Sequence, residues 1–296
     1  MSHLVKNYIE QHYLFHPPRE PAEAGGEPSL LHYPLGCQAG DPVTATFGNA
    51  SASKKNAGGG YNEDAKRAYK ETEVPTVCAR HASPKYCVVY FHGNAESVKT
   101  LYPFIVDLSA VLEATVWAFE YPGYYEGSEK PSEKGCFQAA EKFCAYIQNV
   151  AQEPVVFFGY SMGCAMALHA ALVHKAEDFP SAIVLLAPFM SAASVRLAHS
   201  QLTLLAAPLW APIDVFRMRE SALEQGHPLF VATGSNDDVV PPCHGEEISR
   251  VASIHGTSEH LSVPGATHAS IRSDATEVLY DQMREFLHKN VQSRRV

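Results

Sequence analysis

The chain has 296 residues, 46% hydrophobic and 19% charged, which suits a globular protein with apolar side chains enough for a full core. Lys and Arg number 23 against 32 Asp and Glu, and the resulting charge of −9 repels phosphate backbones and argues against nucleic acid as a partner. Seven cysteines, scattered and without a C-x-x-C pair, fit reduced thiols better than a disulfide framework or a zinc site and point to a cytoplasmic setting.

In chain order, Leu4, Val5, Tyr8, Ile9 and Tyr13 recur at helical spacing before Pro17 and Pro18, which predicts a short amphipathic helix within residues 1–20. Its expected role is packing against the body. Peripheral contact with a membrane is the lesser reading, because the polar face is not strongly basic. The N-terminus lacks the charge pattern and apolar run of a signal peptide, so export is not expected. No apolar stretch approaches the roughly 18 residues of a membrane-spanning helix. Residues 48–72, rich in Gly, Ala, Ser and Lys, read as a flexible surface insertion.

Beyond this insertion, short β-rich runs alternate with segments of helical period. Strands are expected at Val74–Arg80, Tyr86–Phe91, Thr115–Glu120, Val155–Gly159, Ala182–Leu186, Leu229–Thr233 and His260–Val263. Helices are expected at Ser97–Leu112, Glu133–Asn149, Ser161–His174, His244–Ala252 and Ser270–His288. Runs such as VVYF and IVLL do not alternate, so their strands should be buried on both faces. The pattern predicts an α/β chain: one domain over residues 1–296, its core at 74–290, built on a doubly wound, mostly parallel sheet.

Ligands of such sheets bind at the carboxyl ends of the strands. After VVFF stands Gly159-Tyr160-Ser161-Met162-Gly163, a G-x-S-x-G pentapeptide opening a helix. A turn that tight needs small residues on either side of the serine and leaves its hydroxyl exposed beside helix N–H groups, which makes Ser161 the candidate nucleophile. A serine hydroxyl needs a base held in one tautomer by a carboxylate. The loop after LFVAT offers Asp237 or Asp238, with Asp237 favoured because it stands three residues beyond Gly234. His268, on the loop between the last strand and the last helix, is the candidate base. His227 and His255 precede strands, His260 lies within one and His244 comes too early, so none fits as well. After VVYF comes His92-Gly93-Asn94, a turn expected to aim N–H groups of Asn94 and Met162 at a developing oxyanion, with His92 bracing the loop.

HGNA at 92–95, YPGYYEGS at 121–128, GYSMG at 159–163, GSNDDVVP at 234–241 and GATH at 265–268 together resemble the alpha/beta hydrolase domain-containing protein 17 family and its Bem46-like relatives. The resemblance covers about residues 74–290 and implies the alpha/beta-hydrolase fold, an intracellular serine hydrolase, and removal of palmitoyl groups from cysteine thioesters. Carried over, Ser161, Asp237 and His268 form the triad. Tyr124, Tyr125 and Tyr160 are candidates for contacting substrate. Three features depart from the family: its cysteine-rich, lipidated N-terminus has no counterpart ahead of Cys37, Tyr125 stands where relatives usually carry glycine, and the 48–72 insertion is peculiar to this chain.

Residues 188–227 should form a small lid. Its apolar members, among them Phe189, Met190, Leu205, Trp210 and Phe216, either select a greasy acyl chain or merely fill core beneath a cap. The expected chemistry is hydrolysis of a carboxylic ester or thioester through an acyl-serine, with no metal or organic cofactor. Acyl lipids or lipidated proteins are the expected substrates. A lysophospholipase, a small-ester esterase, a peptidase and a non-catalytic binding scaffold are the alternatives. His12 and His16 have metal-compatible spacing, but two histidines alone read better as a solvated face.

Overall fold

A computed structural model of the chain describes residues 37–39, 43–47, 72–125, 128–174, 181–197, 216–218, 220–273 and 276–291. Its strands are β1 (Cys37–Ala39), β2 (Val43–Phe47), β3 (Thr72–His81), β4 (Tyr86–Phe91), β5 (Ala114–Phe119), β6 (Val155–Tyr160), β7 (Ser181–Leu186), β8 (Leu229–Gly234) and β9 (Ser258–Val263). Its helices are α1 (Val98–Leu112), α2 (Glu133–Val150), α3 (Gly163–Val173), α4 (Ala192–Leu197), α5 (Glu220–Leu223), α6 (Cys243–His255) and α7 (Thr276–Asn290), with a 3-10 turn at Ser270–Arg272.

All the described strands join one sheet in the order β1-β3-β5-β4-β6-β7-β8-β9, with β2 also on β3. From β5 to β9 every neighbouring pair is parallel, whereas β3 runs antiparallel to β5 and pairs antiparallel with β1 and β2. The mostly parallel α/β sheet expected from the periodicity is therefore present. Two features differ from expectation. Strand β3 belongs to an antiparallel edge instead of a βαβ unit, and β1 and β2 were not anticipated at all, being short and lacking a long apolar run.

Strands β4, β6, β7 and β8 are buried along their whole length because helices cover both faces of the sheet. Side chains alternate between two cores: Val89, Phe91 and Phe157 pack toward α2, α3 and α6, while Val88, Tyr90 and Phe158 pack toward α1 and α7. The α1 N-terminus is closed by a capping box between Ser97 and Thr100. From β4 the chain crosses through α1 to β5, then returns through α2 to β6 on the other side of β4. That reversal makes the carboxyl ends of β4 and β6 the switch point of the sheet, the place where ligands of such sheets bind.

The helix expected over Ser270–His288 is divided into the 3-10 turn and a separate α7. The N-terminal helix lies outside the described residues, as does the 48–72 insertion except Thr72, which opens β3. Residues 198–215 and 219 of the lid, Leu205 and Trp210 among them, also lie outside them. Of its described members, Phe216 is fully buried and meets Phe137 edge-on at 5.8 Å, while Phe189 and Met190 are partly buried against the same core. None of the helices among the described residues is long and apolar enough to cross a membrane.

Candidate active site

The turn from β6 into α3 puts Ser161 at φ +51°, in the left-handed region a side chain rarely adopts. Both flanking glycines are required by contact. A Cβ on Gly159 would stand 2.5 Å from Cys164 Cα, and one on Gly163 would stand 1.9 Å from the Phe91 carbonyl oxygen. The elbow is thus pressed against β4 and against its own helix, and the strain is held by the surrounding backbone, including the bond from Ser161 N–H to Leu186 O at 2.9 Å.

Ser161 Oγ lies 3.0 Å from His268 Nε2, and His268 Nδ1 lies 2.8 Å from Asp237 Oδ2. Asp237 is almost wholly buried and His268 retains 15% side-chain exposure. The second carboxylate oxygen, Oδ1, accepts the N–H groups of Val239 at 2.9 Å and Val240 at 2.7 Å, which fixes the plane of the carboxylate. Because Nδ1 faces an acceptor, it carries the proton, and Nε2 presents its lone pair to the serine hydroxyl. The acid and base loops are tied to each other: Asn236 N–H donates to Ala266 O at 2.9 Å, and Gly265 N–H donates to Ser235 Oγ at 2.8 Å.

Of the two aspartates open in the sequence, Asp237 meets the imidazole, while Asp238 is exposed. The other histidines lie elsewhere. His227 is buried between Ser181 Oγ and Ala171 O, 2.9 and 3.0 Å away, and His260 bonds Thr233 Oγ1 at 2.9 Å.

At the end of β4, Gly93 N–H is taken by Glu96 Oε2 at 2.7 Å, and Asn94 Oδ1 accepts the Tyr124 hydroxyl at 2.6 Å. Among the described residues the Met162 N–H, at the start of α3, has no hydrogen-bond partner. Tyr124 is buried and Tyr125 half-buried, the latter accepting Ser128 Oγ–H at its carbonyl at 2.5 Å. Tyr160 is buried with its hydroxyl donating to His268 O at 2.9 Å, so that hydroxyl is engaged in holding the base loop.

Two residues that sequence reasoning passed over brace this region. Glu120, 3% exposed, sets Oε1 2.9 Å from His92 Nε2 and accepts the Val98 N–H at Oε2, 3.0 Å away. Tyr121 stacks on the His92 ring at 3.9 Å and donates its hydroxyl to His92 O at 3.0 Å. The only available signal was an acid closing an apolar strand, VWAFE, where a buried charge demands a partner. Cys78, Cys87, Cys136, Cys144, Cys164 and Cys243 are free, and all of these but Cys243 are buried. Burial pushes the Cys78 thiol up to about 11, far from thiolate reactivity. Among the described residues no group of three or more His, Cys, Asp or Glu could hold a metal ion.

Known proteins resemble this chain in sequence and in fold. A family model described as alpha/beta hydrolase family matches residues 88–241. The uncharacterized protein Rv2307c of Mycobacterium tuberculosis is 30% identical over 208 residues, covering 68% of this chain and 69% of that protein. Alpha/beta hydrolase domain-containing protein 17C of Mus musculus is 24% identical over 208 residues, 69% of this chain and 60% of its own length. Among solved structures, carboxyl esterase 2 of the fungus Tuber melanosporum superposes with a TM-score of 0.53 at 15% identity, covering 74% of this chain and 82% of that one, a likeness of fold. With the family model spanning more than half of its length, this chain belongs to the alpha/beta hydrolase family.

Proposed function

We propose that the protein is a serine hydrolase that cleaves carboxylic esters or thioesters through an acyl-serine intermediate on Ser161. The observation that carries this reading is the chain of hydrogen bonds from Ser161 Oγ through His268 to buried Asp237, mounted on a strained elbow at the switch point of the sheet. In the first half-reaction Ser161 gives its proton to His268 Nε2 while Oγ bonds to the acyl carbon. The carbonyl oxygen becomes an oxyanion received by the N–H groups of Asn94 and Met162. Collapse breaks the bond to the leaving alcohol or thiol, which takes the proton from His268. Water then gives a proton to His268, attacks the acyl-serine, and releases the acid with Ser161 reprotonated. No step calls on a metal or organic cofactor.

The favoured substrates are acyl lipids or S-acylated, palmitoylated proteins. Support comes from the motif resemblance to the protein 17 family and from Met162, Phe189 and Met190, apolar side chains at the same edge of the sheet as the nucleophile. Free thiols support a cytoplasmic setting, with peripheral contact at membranes where S-acylated proteins reside.

The test is labelling of wild type, Ser161→Ala and His268→Ala by a fluorescent fluorophosphonate, beside hydrolysis of p-nitrophenyl esters from acetyl to palmitoyl and of a palmitoylated cysteine peptide. Labelling lost in both variants, with turnover falling by about 10³-fold or more, is expected. The best chain length and the ester-to-thioester ratio then select among depalmitoylase, lysophospholipase and small-ester esterase. A wild-type protein that neither labels nor hydrolyses any ester refutes the enzyme reading.

A further inference from the structure

We propose that Arg272 is a positioning residue that clamps the three loops of the candidate active site into one register. This rests on the hydrolase reading above and concerns how that site is held together. Arg272 closes the 3-10 turn that follows His268, and this turn is pinned back to its loop by Ile271 N–H on Thr267 O at 3.1 Å and Thr267 N–H on Ser270 Oγ at 3.0 Å. Its guanidinium reaches in two directions. Nη2 pairs with Glu96 Oε1, and Nη1 donates to the Tyr90 hydroxyl at 2.9 Å. Its flat face lies over the Tyr160 ring at 4.1 Å and over Phe104 at 4.9 Å.

Each of these contacts ends on a different piece of the machinery. Glu96 uses its other oxygen to hold Gly93 N–H, which sets the turn immediately before Asn94, the proposed oxyanion donor. Tyr90 lies on β4, two residues ahead of His92. Tyr160 precedes the nucleophile and returns its hydroxyl to the carbonyl of His268. The arginine therefore closes a loop of contacts through the oxyanion turn, the nucleophile elbow and the base. Arg272 and Glu96 are both largely buried, with side-chain exposures of 18% and 16%, so the pair is poorly screened and geometrically defined. Only a planar fork can satisfy a carboxylate and a hydroxyl while stacking on two rings, so lysine is not an equivalent.

Losing the clamp should shift reacting groups by fractions of an ångström, which lowers turnover without removing any reacting group. The test compares wild type with Arg272→Met, Arg272→Lys, Glu96→Gln, the Met/Gln double variant and Tyr160→Phe, using p-nitrophenyl acetate hydrolysis, fluorophosphonate labelling rate and thermal melting. Arg284→Gln, an exposed arginine on α7, serves as the control. Arg272→Met and Glu96→Gln should each lower kcat by about 10- to 100-fold with KM within about threefold. The labelling rate should fall in parallel, Arg272→Lys should recover part of the loss, and Tyr160→Phe should lose about tenfold. The double variant should be no worse than the poorer single one, because both remove the same contact.

A purely structural arginine would lower the melting temperature and leave kcat per folded molecule unchanged well below it. Folded variants whose kcat stays within about twofold of wild type overturn the proposal. Should Arg272→Met fail to fold, Arg272→Lys and Glu96→Gln decide by the same criterion. An inactive wild type instead removes the hydrolase reading itself, and this inference with it.

Discussion

Replacing Asp237 by Asn exchanges one carboxylate oxygen for an NH2 group at nearly constant volume, and the structure dictates which oxygen survives. Oδ1 accepts two backbone N–H groups, from Val239 and Val240, so the amide oxygen must occupy that position. The NH2 group then faces His268 Nδ1 across the 2.8 Å contact. Two donors cannot share it, so Nδ1 becomes the acceptor and the ring proton moves to Nε2, pointing at Ser161 Oγ 3.0 Å away. The base has lost its lone pair toward the nucleophile while every heavy atom stays where it was. The same substitution in a serine protease triad lowers kcat by about 10⁴, and about 10³- to 10⁴-fold is expected here, or roughly 4 to 5.5 kcal/mol of transition-state stabilisation. The assay is steady-state hydrolysis of p-nitrophenyl acetate with circular dichroism and urea unfolding as controls, beside Asp238→Asn, whose exposed side chain predicts turnover within about twofold of wild type. A folded Asp237→Asn protein that keeps more than about a tenth of wild-type kcat refutes the tautomer argument.

Gly163→Ala would drive a methyl into the Phe91 carbonyl, 1.9 Å from the ideal Cβ, and should destabilise the fold by at least about 3 kcal/mol in urea unfolding or prevent soluble expression. Glu120→Ala removes the acceptor of the buried Val98 N–H and the carboxylate packed beside His92, with a loss of about 1–3 kcal/mol by the same measurement, accompanied by slower turnover as the oxyanion turn loosens. Burial lowers the pKa of His227 below the ordinary histidine value, so between the two values the unfolded chain binds the extra proton. Its contribution to stability is complete above the unfolded pKa of about 6.5 and is lost as pH falls through that value toward the folded one. Unfolding free energy should accordingly drop between about pH 7 and pH 5, and by less in His227→Gln, as urea titrations at the two pH values will measure.

The site was legible in the sequence to the degree that its members are local. Ser161 and Asp237 lie at the ends of buried strands and His268 on the loop after β9, the less buried last strand, and a polar residue in such a loop needs only the strand-to-helix pattern to be noticed. The choice of Asp237 over Asp238 lay at the edge of legibility, since neighbours on one loop differ only in the direction they face. Strands β1 and β2 were missed because short antiparallel edge strands carry little periodicity and draw their stability from β3. The expected final helix is two elements, and its first turn carries Arg272, whose partners Glu96 and Tyr90 lie far away in the chain.

By itself the sequence determined the alternation of buried strands and amphipathic helices, and with it which loops fall at the carboxyl edge of the sheet, because burial period and turn chemistry are written in adjacent residues. Only the tertiary structure decided that β4 lies between β5 and β6, and so that Glu120 meets His92 while Arg272 meets Glu96 from 176 residues away. Such pairs depend on which strands become neighbours, a choice made by the packing of the whole core and recorded at no single position in the chain.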